Sequence, residues 1–237
     1  MTVNLMIVDD DPEVRGALRE AMEDEGYDVS EAAKGEAALS RLRSDRVPDV
    51  MIVELMLGDM DGFDCIREIR RDHDVPIIVV SSRDDTHDVV AALEAGADDY
   101  VTKPFEIKEI SARMRALRRR ARLTADRESA ARELVLETDG NAPLILDRDG
   151  GAIRRGDEEI RLTITEFRLL CELAETPGRV LSRAVLLERV WDEGFFGDER
   201  IVDVHMRRLR TKIERDPSQP NLVVTVRGLG YRLDIQR

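Results

Sequence analysis

The sequence predicts an α/β domain on a five-stranded, doubly wound parallel sheet, followed by a small domain of antiparallel sheet, three helices and a β-ribbon. Three observations carry that reading. Five strand-helix units succeed one another through residue 121. Two of their strands, Val50–Val53 and Ile77–Val80, are unbroken apolar runs, as strands covered on both faces require. Chemically active side chains fall where the runs stop: Asp9, Asp10, Glu54, Ser81 and Lys103. The carboxyl edge of such a sheet is where ligand chemistry collects. From residue 133 the pattern changes to short alternating runs, separated by Asp139-Gly140-Asn141, Asp149-Gly150-Gly151 and Gly156-Asp157, which are hairpin signals.

The first domain follows in order. Val3–Val8 is a strand, and Asp9-Asp10-Asp11-Pro12 ends it and opens a helix with Pro at an early position. Val14, Ala17, Leu18, Ala21 and Met22 recur at helical spacing, and Gly26 closes the helix. Val29 begins a short second strand. Ala38, Leu39 and Leu42 mark the second helix, and Pro48 precedes the strand that ends at Glu54. Gly58 and Gly62 bound a loop. Phe63, Ile66 and Ile69 mark the third helix, and Pro76 opens the fourth strand. Val90 and Leu93 lie on a helix ended by Gly96. Tyr100-Val101 is the fifth strand, and Ile107, Ile110, Met114 and Leu117 the fifth helix. Polar residues 122–132 read as a linker.

In the second domain, 133–237, Thr163-Ile164-Thr165-Glu166 fits a capping box. Phe167, Leu170 and Leu173 follow on its helix, which Pro177-Gly178 ends. Ser182 caps the next, with Leu186, Leu187, Val190 and Trp191. A third helix spans about Arg200 to Glu214. Two strands, Leu222–Val226 and Tyr231–Ile235, then flank Arg227-Gly228-Leu229-Gly230. Three helices and a β-ribbon in this order are a winged helix-turn-helix.

Composition narrows the classes. The 237 residues suffice for two cores. Aromatics at 4% and charged residues at 37% make those cores aliphatic and the surface charged. No run reaches the ~20 apolar residues of a membrane span, and no secretory leader opens the chain. Cys65 and Cys171 fall in different halves, which predicts two free buried thiols in a reducing cytoplasm. A net charge of −13 argues against a DNA binder until its distribution is read. Residues 1–120 hold 17 basic and 28 acidic side chains, whereas Arg200–Arg232 holds 8 basic and 3 acidic. A basic face lies inside an acidic protein.

Carboxylates on neighbouring strand ends repel one another, and a cation or a shifted pKa must relieve them. Oxygen ligands without His or Cys point to Mg²⁺ rather than zinc. Ser81 can donate to a phosphoryl oxygen and Lys103 adds positive charge, a kit for phosphoryl transfer to a carboxylate. With Gly96-Ala97-Asp98-Asp99-Tyr100, Asp61-Gly62 and Lys103-Pro104, these residues resemble a response-regulator receiver domain, whose sheet is flavodoxin-like. The resemblance implies Mg²⁺ on Asp9, Asp10, the acceptor-position residue and the Met56 carbonyl, with Ser81 and Lys103 on the phosphoryl group. Tyr100 would be the switch aromatic. Dimerisation would use the face of the fourth helix, fifth strand and fifth helix, with Asp99, Glu109 and Arg113 as its charges. The family's acceptor is Asp, and this chain has Glu54, one methylene longer. That reach misplaces the nucleophile and projects a carboxylate toward the space of a phosphoryl group. Either Glu54 is natural and the protein works without phosphorylation, or it was introduced in place of Asp to imitate the active form.

On the helix Arg200–Glu214, Val202, Met206, Leu209 and Ile213 form a core face. Arg200, Asp203, Val204, Arg207, Arg208 and Thr211 form the opposite stripe, suited to a major groove. Arg227 on a glycine-rich tip can enter a minor groove. Leu162-Thr163, Glu166-Phe167, Pro177–Arg183, Val202–Arg210 and Thr225–Tyr231 are similar to the OmpR/PhoB winged-helix effector domain. That similarity implies base contacts from Asp203, Val204 and Arg208, and a minor-groove contact from Arg227. It implies phosphate contacts from Trp191, Arg200, His205, Arg207, Arg210, Thr225 and Tyr231, and an RNA polymerase contact in Asp192–Glu199. The combined expectation is a non-enzymatic transcription regulator, dimeric on direct repeats of promoter DNA, with a sensor histidine kinase as its usual partner. The rival is a phosphorylation-independent regulator whose first domain only dimerises. A dehalogenase-type hydrolase would need late acidic ligands, but Lys103 ends the first domain without them.

Overall fold

The computed structural model describes residues 2–44, 47–123, 133–138, 142–191 and 199–236, without the side chains of 116 and 118–123. The chain divides into two compact units, Met1–Arg115 and Ala116–Arg237. The division falls inside a helix, α5 (Ile107–Leu123), that runs past the expected boundary at 121 and into the first residues of the expected linker. Ala, Leu and Arg are strong helix formers, and no Gly or Pro interrupts them there. The rest of that linker, 124–132, lies outside the described residues, as does 192–198 of the expected polymerase-contact loop.

In the first unit, β1 (Val3–Val8), β2 (Tyr27–Ala32), β3 (Val50–Val53), β4 (Ile77–Ser81) and β5 (Asp99–Thr102) form one parallel sheet in the order β2-β1-β3-β4-β5. Helices α1 (Pro12–Asp24), α2 (Gly35–Ser44), α3 (Gly62–Asp72) and α4 (Thr86–Ala95) connect the strands. Every residue of β3 and β4 is buried, as their apolar runs require. Asp11 caps α1 by accepting the Glu13 and Val14 amides, with Pro12 in the first turn. The strand order reverses between β1 and β3, and their register pairs Val8 with Val53. Asp9 and Glu54 therefore leave adjacent strand ends at the switch point. The Lys103 amide donates to the Ser81 carbonyl at 2.7 Å, which brings the end of β5 to the same edge.

Away from that edge, Asp98 is fully buried and pairs with Arg70 at 2.9 Å. Arg70 also donates to the carbonyls of Gly96, His73 and Val75, so one guanidinium ties α3 to the turn before β5. Cys65 is buried, while Cys171 is only half-buried, against the expectation for both.

The second unit opens with the antiparallel sheet β6 (Glu133–Glu137), β7 (Leu144–Asp147), β8 (Ala152–Arg155) and β9 (Glu158–Glu159). Then come α6 (Ile164–Glu175), α7 (Arg183–Trp191), α8 (Arg200–Ile213) and the ribbon β10 (Val223–Val226) with β11 (Gly230–Leu233). The expected capping box is present, Thr163 and Glu166 bonding each other's backbone amides. The Ser182 hydroxyl accepts from the Val185 amide at the start of α7. Val202, Met206, Leu209 and Ile213 are buried, which docks α8 as its periodicity predicts. The ribbon is anchored where Leu181 and Tyr231 exchange backbone hydrogen bonds.

Gly62 begins α3 directly against the Glu54 strand end. A Cβ there would meet the Leu55 Cα and lie 2.6 Å from the Glu54 carbonyl oxygen, both backbone atoms that cannot yield easily. Gly62→Ala is expected to cost about 1–3 kcal/mol, read as a lower urea midpoint at unchanged slope.

Candidate functional site

The edge site is built from four strand ends and one loop. Asp9 and Glu54 are buried, at 2% and 4% exposure, and Ser81 is fully buried. Lys103 Nζ lies between the carboxylates, 2.8 Å from Asp9 Oδ2 and 2.6 Å from Glu54 Oε2. Glu54 Oε1 accepts the Leu55 amide at 2.7 Å, the Met56 amide at 3.1 Å and the Ser81 hydroxyl. Asp9 Oδ1 accepts the Asp11 amide at 2.9 Å. Burial pushes the Asp9 carboxyl above its ordinary value, against the pull of Lys103. Burial also works against the Lys103 ammonium, but its bonds to Asp9 and Glu54 outweigh this and hold its pKa above the ordinary lysine value.

The structure brings Asp9, Glu54, Ser81 and Lys103 together at one edge, and at Met56 it is the amide, rather than the carbonyl expected to face Mg²⁺, that bonds Glu54. It leaves Asp10 exposed and outside the network. The expected metal ligands do not form a cage. Among the described residues no three acidic, His or Cys groups gather as a metal site. The donor chemistry suits Mg²⁺, but the geometry does not: an ammonium stands on the two carboxylate oxygens that face each other.

Tyr100 is buried, and its hydroxyl donates to the Arg83 carbonyl at 2.5 Å, joining β5 to the loop after β4. Burial pushes its phenol up to about 12. The charges expected to pair across a dimer are engaged within one chain. Asp99 is buried and accepts from Arg113 Nη1 at 3.0 and 3.1 Å, and Arg113 also holds Glu109 at 2.7 Å. Burial pushes the Asp99 carboxyl up, with Arg113 pulling it down. Asp99 is buried at the start of β5, where a carboxylate is stable only beside a cation.

In the second unit, α8 presents Arg200, Arg207 and Thr211 to solvent on one face, and Thr225, Arg227 and Leu229 are exposed on the ribbon. Arg208 and Arg210 are half-buried. Arg208 lies 3.0 Å from Glu166, which also holds Lys212 at 2.7 Å. Arg210 donates to the Val223 carbonyl and the Thr225 hydroxyl. Asp203 accepts from Arg183 and from the Tyr231 hydroxyl, each at 2.6 Å. Four of the residues expected at DNA are largely buried. Trp191, Val204 and Tyr231 are each at or below 7% exposure, and His205 is fully buried with its ring 5.4 Å from that of Trp191. These side chains pack α8 to α7 and to the ribbon and offer little surface to a phosphate or base. Sequence reasoning missed Glu166 as an organiser of α8. Its only signal was the capping box, which accounts for one hydrogen bond and hides the two cations.

Comparisons with known proteins bear on both units. Residues 5–115 match the family described as "Response regulator receiver domain", and residues 157–233 match "Transcriptional regulatory protein, C terminal". The chain is 43% identical over 231 residues to the "Transcriptional regulatory protein AfsQ1" of Streptomyces coelicolor, covering 98% of each. It is 42% identical over 232 residues to the "DNA-binding response regulator MtrA" of Mycolicibacterium smegmatis, covering 98% of this chain and 97% of that one. A solved structure of a RitR cysteine-to-serine mutant superposes with a TM-score of 0.76 at 27% identity, covering 98% of this chain and 99% of the other.

The ion network at the edge sets a stability expectation. Lys103→Met leaves Asp9 and Glu54 buried without their cation and is expected to cost about 3–5 kcal/mol at pH 7 in urea unfolding. Asp9, already raised by burial, then binds its proton at higher pH in the folded than in the unfolded chain. The deficit therefore shrinks as pH falls from 7 toward about 4. A deficit that grows with acidity contradicts this account.

Proposed function

The chain belongs to the OmpR/PhoB family of two-component response regulators, and we propose that within it Glu54 takes the place of the phosphorylated acceptor. It is a DNA-binding transcriptional regulator by the family it belongs to. The observation that carries the further reading is the bonding of Glu54. One carboxylate holds the Ser81 hydroxyl, the Met56 amide and the Lys103 ammonium at once. Of these, Ser81 and Lys103 are the groups that the resemblance would otherwise set on a phosphoryl oxygen. The extra methylene of Glu supplies the reach, and the carboxylate supplies one negative charge where a phosphate brings about two. The buried Tyr100, bonded to the Arg83 carbonyl, supports a site settled into one state without a phosphoryl group.

In this reading the first domain dimerises through the face of α4, β5 and α5, and the second binds promoter DNA at direct repeats. Arg207 and Arg200 approach the major groove from the exposed face of α8, and Arg227 reaches the minor groove from the ribbon tip. RNA polymerase is the partner downstream, and a sensor histidine kinase is the partner whose signal Glu54 bypasses. The protein acts as a regulator rather than as an enzyme. Its place of action is the cytoplasm, where promoter DNA and RNA polymerase are met. No described helix is long and apolar enough to cross a membrane.

The test compares this chain with its Glu54→Asp and Glu54→Ala forms by sedimentation and DNA affinity, with and without a small phosphodonor and Mg²⁺. The chain as it stands is expected to be dimeric and tight-binding without donor. Glu54→Ala should weaken DNA binding by roughly 5–150-fold, and Glu54→Asp should become tight only with donor. If all three dimerise and bind equally without donor, the rival holds: the first domain only dimerises and Glu54 has no signalling part.

The wing has its own test. Arg227→Ala is expected to weaken DNA binding and to lower the slope of log affinity against log salt by about 1. An unchanged slope places Arg227 off the DNA.

A further inference from the structure

All four carboxylate oxygens of Asp9 and Glu54 are engaged by donors of the chain itself. Lys103 Nζ bridges Asp9 Oδ2 and Glu54 Oε2, at 2.8 and 2.6 Å. The Asp11 amide holds Asp9 Oδ1. Glu54 Oε1 takes the amides of Leu55 and Met56 and the Ser81 hydroxyl. We propose that Lys103 is the resident cation of this site and that, with Glu54, it excludes Mg²⁺, so that the chain works without the ion that receiver domains generally use. The inference deepens the reading of Glu54 given above and rests on it.

The physical reason is geometric. Mg²⁺ demands near-octahedral oxygens at about 2.0–2.1 Å and gives up its waters reluctantly. An ion on Asp9 Oδ2 would face the Lys103 ammonium across a few ångströms beside buried carboxylates, like charge against like. Lys103 would have to leave both carboxylates to make room. Glu54 cannot turn to the ion instead without stripping the Leu55 and Met56 amides of their acceptor. What remains is Asp10, exposed, with the Met56 carbonyl. An aspartate at position 54 is one methylene shorter, so its carboxylate draws back from Ser81, Met56 and Lys103 together. That frees Lys103 and reopens the pocket.

Calorimetric titration of the full chain with MgCl₂ tests this directly, with the Mg²⁺-induced rise in melting temperature as a second readout. Glu54→Asp is expected to bind Mg²⁺ at least tenfold more tightly than the chain as it stands, whose melting temperature should not move with Mg²⁺. A difference under tenfold overturns the exclusion. Lys103→Met, where it folds, should also gain Mg²⁺ affinity. If it folds and binds Mg²⁺ no better than the parent, Lys103 is not the resident cation. DNA affinity of the same forms is read separately. Equal DNA binding by the parent chain and its Glu54→Ala form sinks the role of Glu54 in signalling, whatever the Mg²⁺ titration gives.

Discussion

A buried carboxylate must find its counter-charge, and the first domain is arranged around one such pairing. Asp9 and Glu54 emerge side by side because β1 and β3 are neighbours in register. Water cannot screen them, since both are nearly fully buried. Lys103 reaches them from the end of β5, two strands beyond β3 in the sheet. The Ser81 hydroxyl and two backbone amides finish the coordination of Glu54. The same rule repeats elsewhere in the domain, where Asp98 takes Arg70 and Asp99 takes Arg113.

The second domain uses acid to discipline base. Glu166, fully buried at the start of α6, holds Arg208 and Lys212 of α8. Asp203 holds Arg183 and the Tyr231 hydroxyl. The basic excess of Arg200–Arg232 is thus partly neutralised inside the fold. Arg200, Arg207 and Arg227 stay exposed. Cations held in fixed places by the fold set register on a phosphate backbone. Their placement also reconciles a strongly acidic chain with nucleic-acid binding, since phosphate contacts depend on local charge.

Much of the fold was legible because it rests on local rules. The unbroken runs of β3 and β4 announced strands covered on both faces, and the capping box announced α6 to the residue. The edge site was legible as well, because strand ends are where such sheets keep their polar groups. The binding face of α8 was less so. Helical spacing puts Val204 in the exposed stripe and the resemblance gives His205 a phosphate contact, but both are buried, His205 against the Trp191 ring. Periodicity assigns a direction around a helix and says nothing about how far a neighbour extends.

The sequence by itself determined the order and type of the elements, the two-domain division and the residues that meet at the sheet edge, because period, turn chemistry and strand ends are properties of short segments. Tertiary structure alone decided which charge answers which. Asp9 and Lys103 are 94 residues apart, Glu166 and Lys212 are 46, and no local pattern links either pair. Strand order and helix docking bring them within bonding distance. Burial then makes each pairing obligatory, because an ion removed from water is stable only beside its opposite.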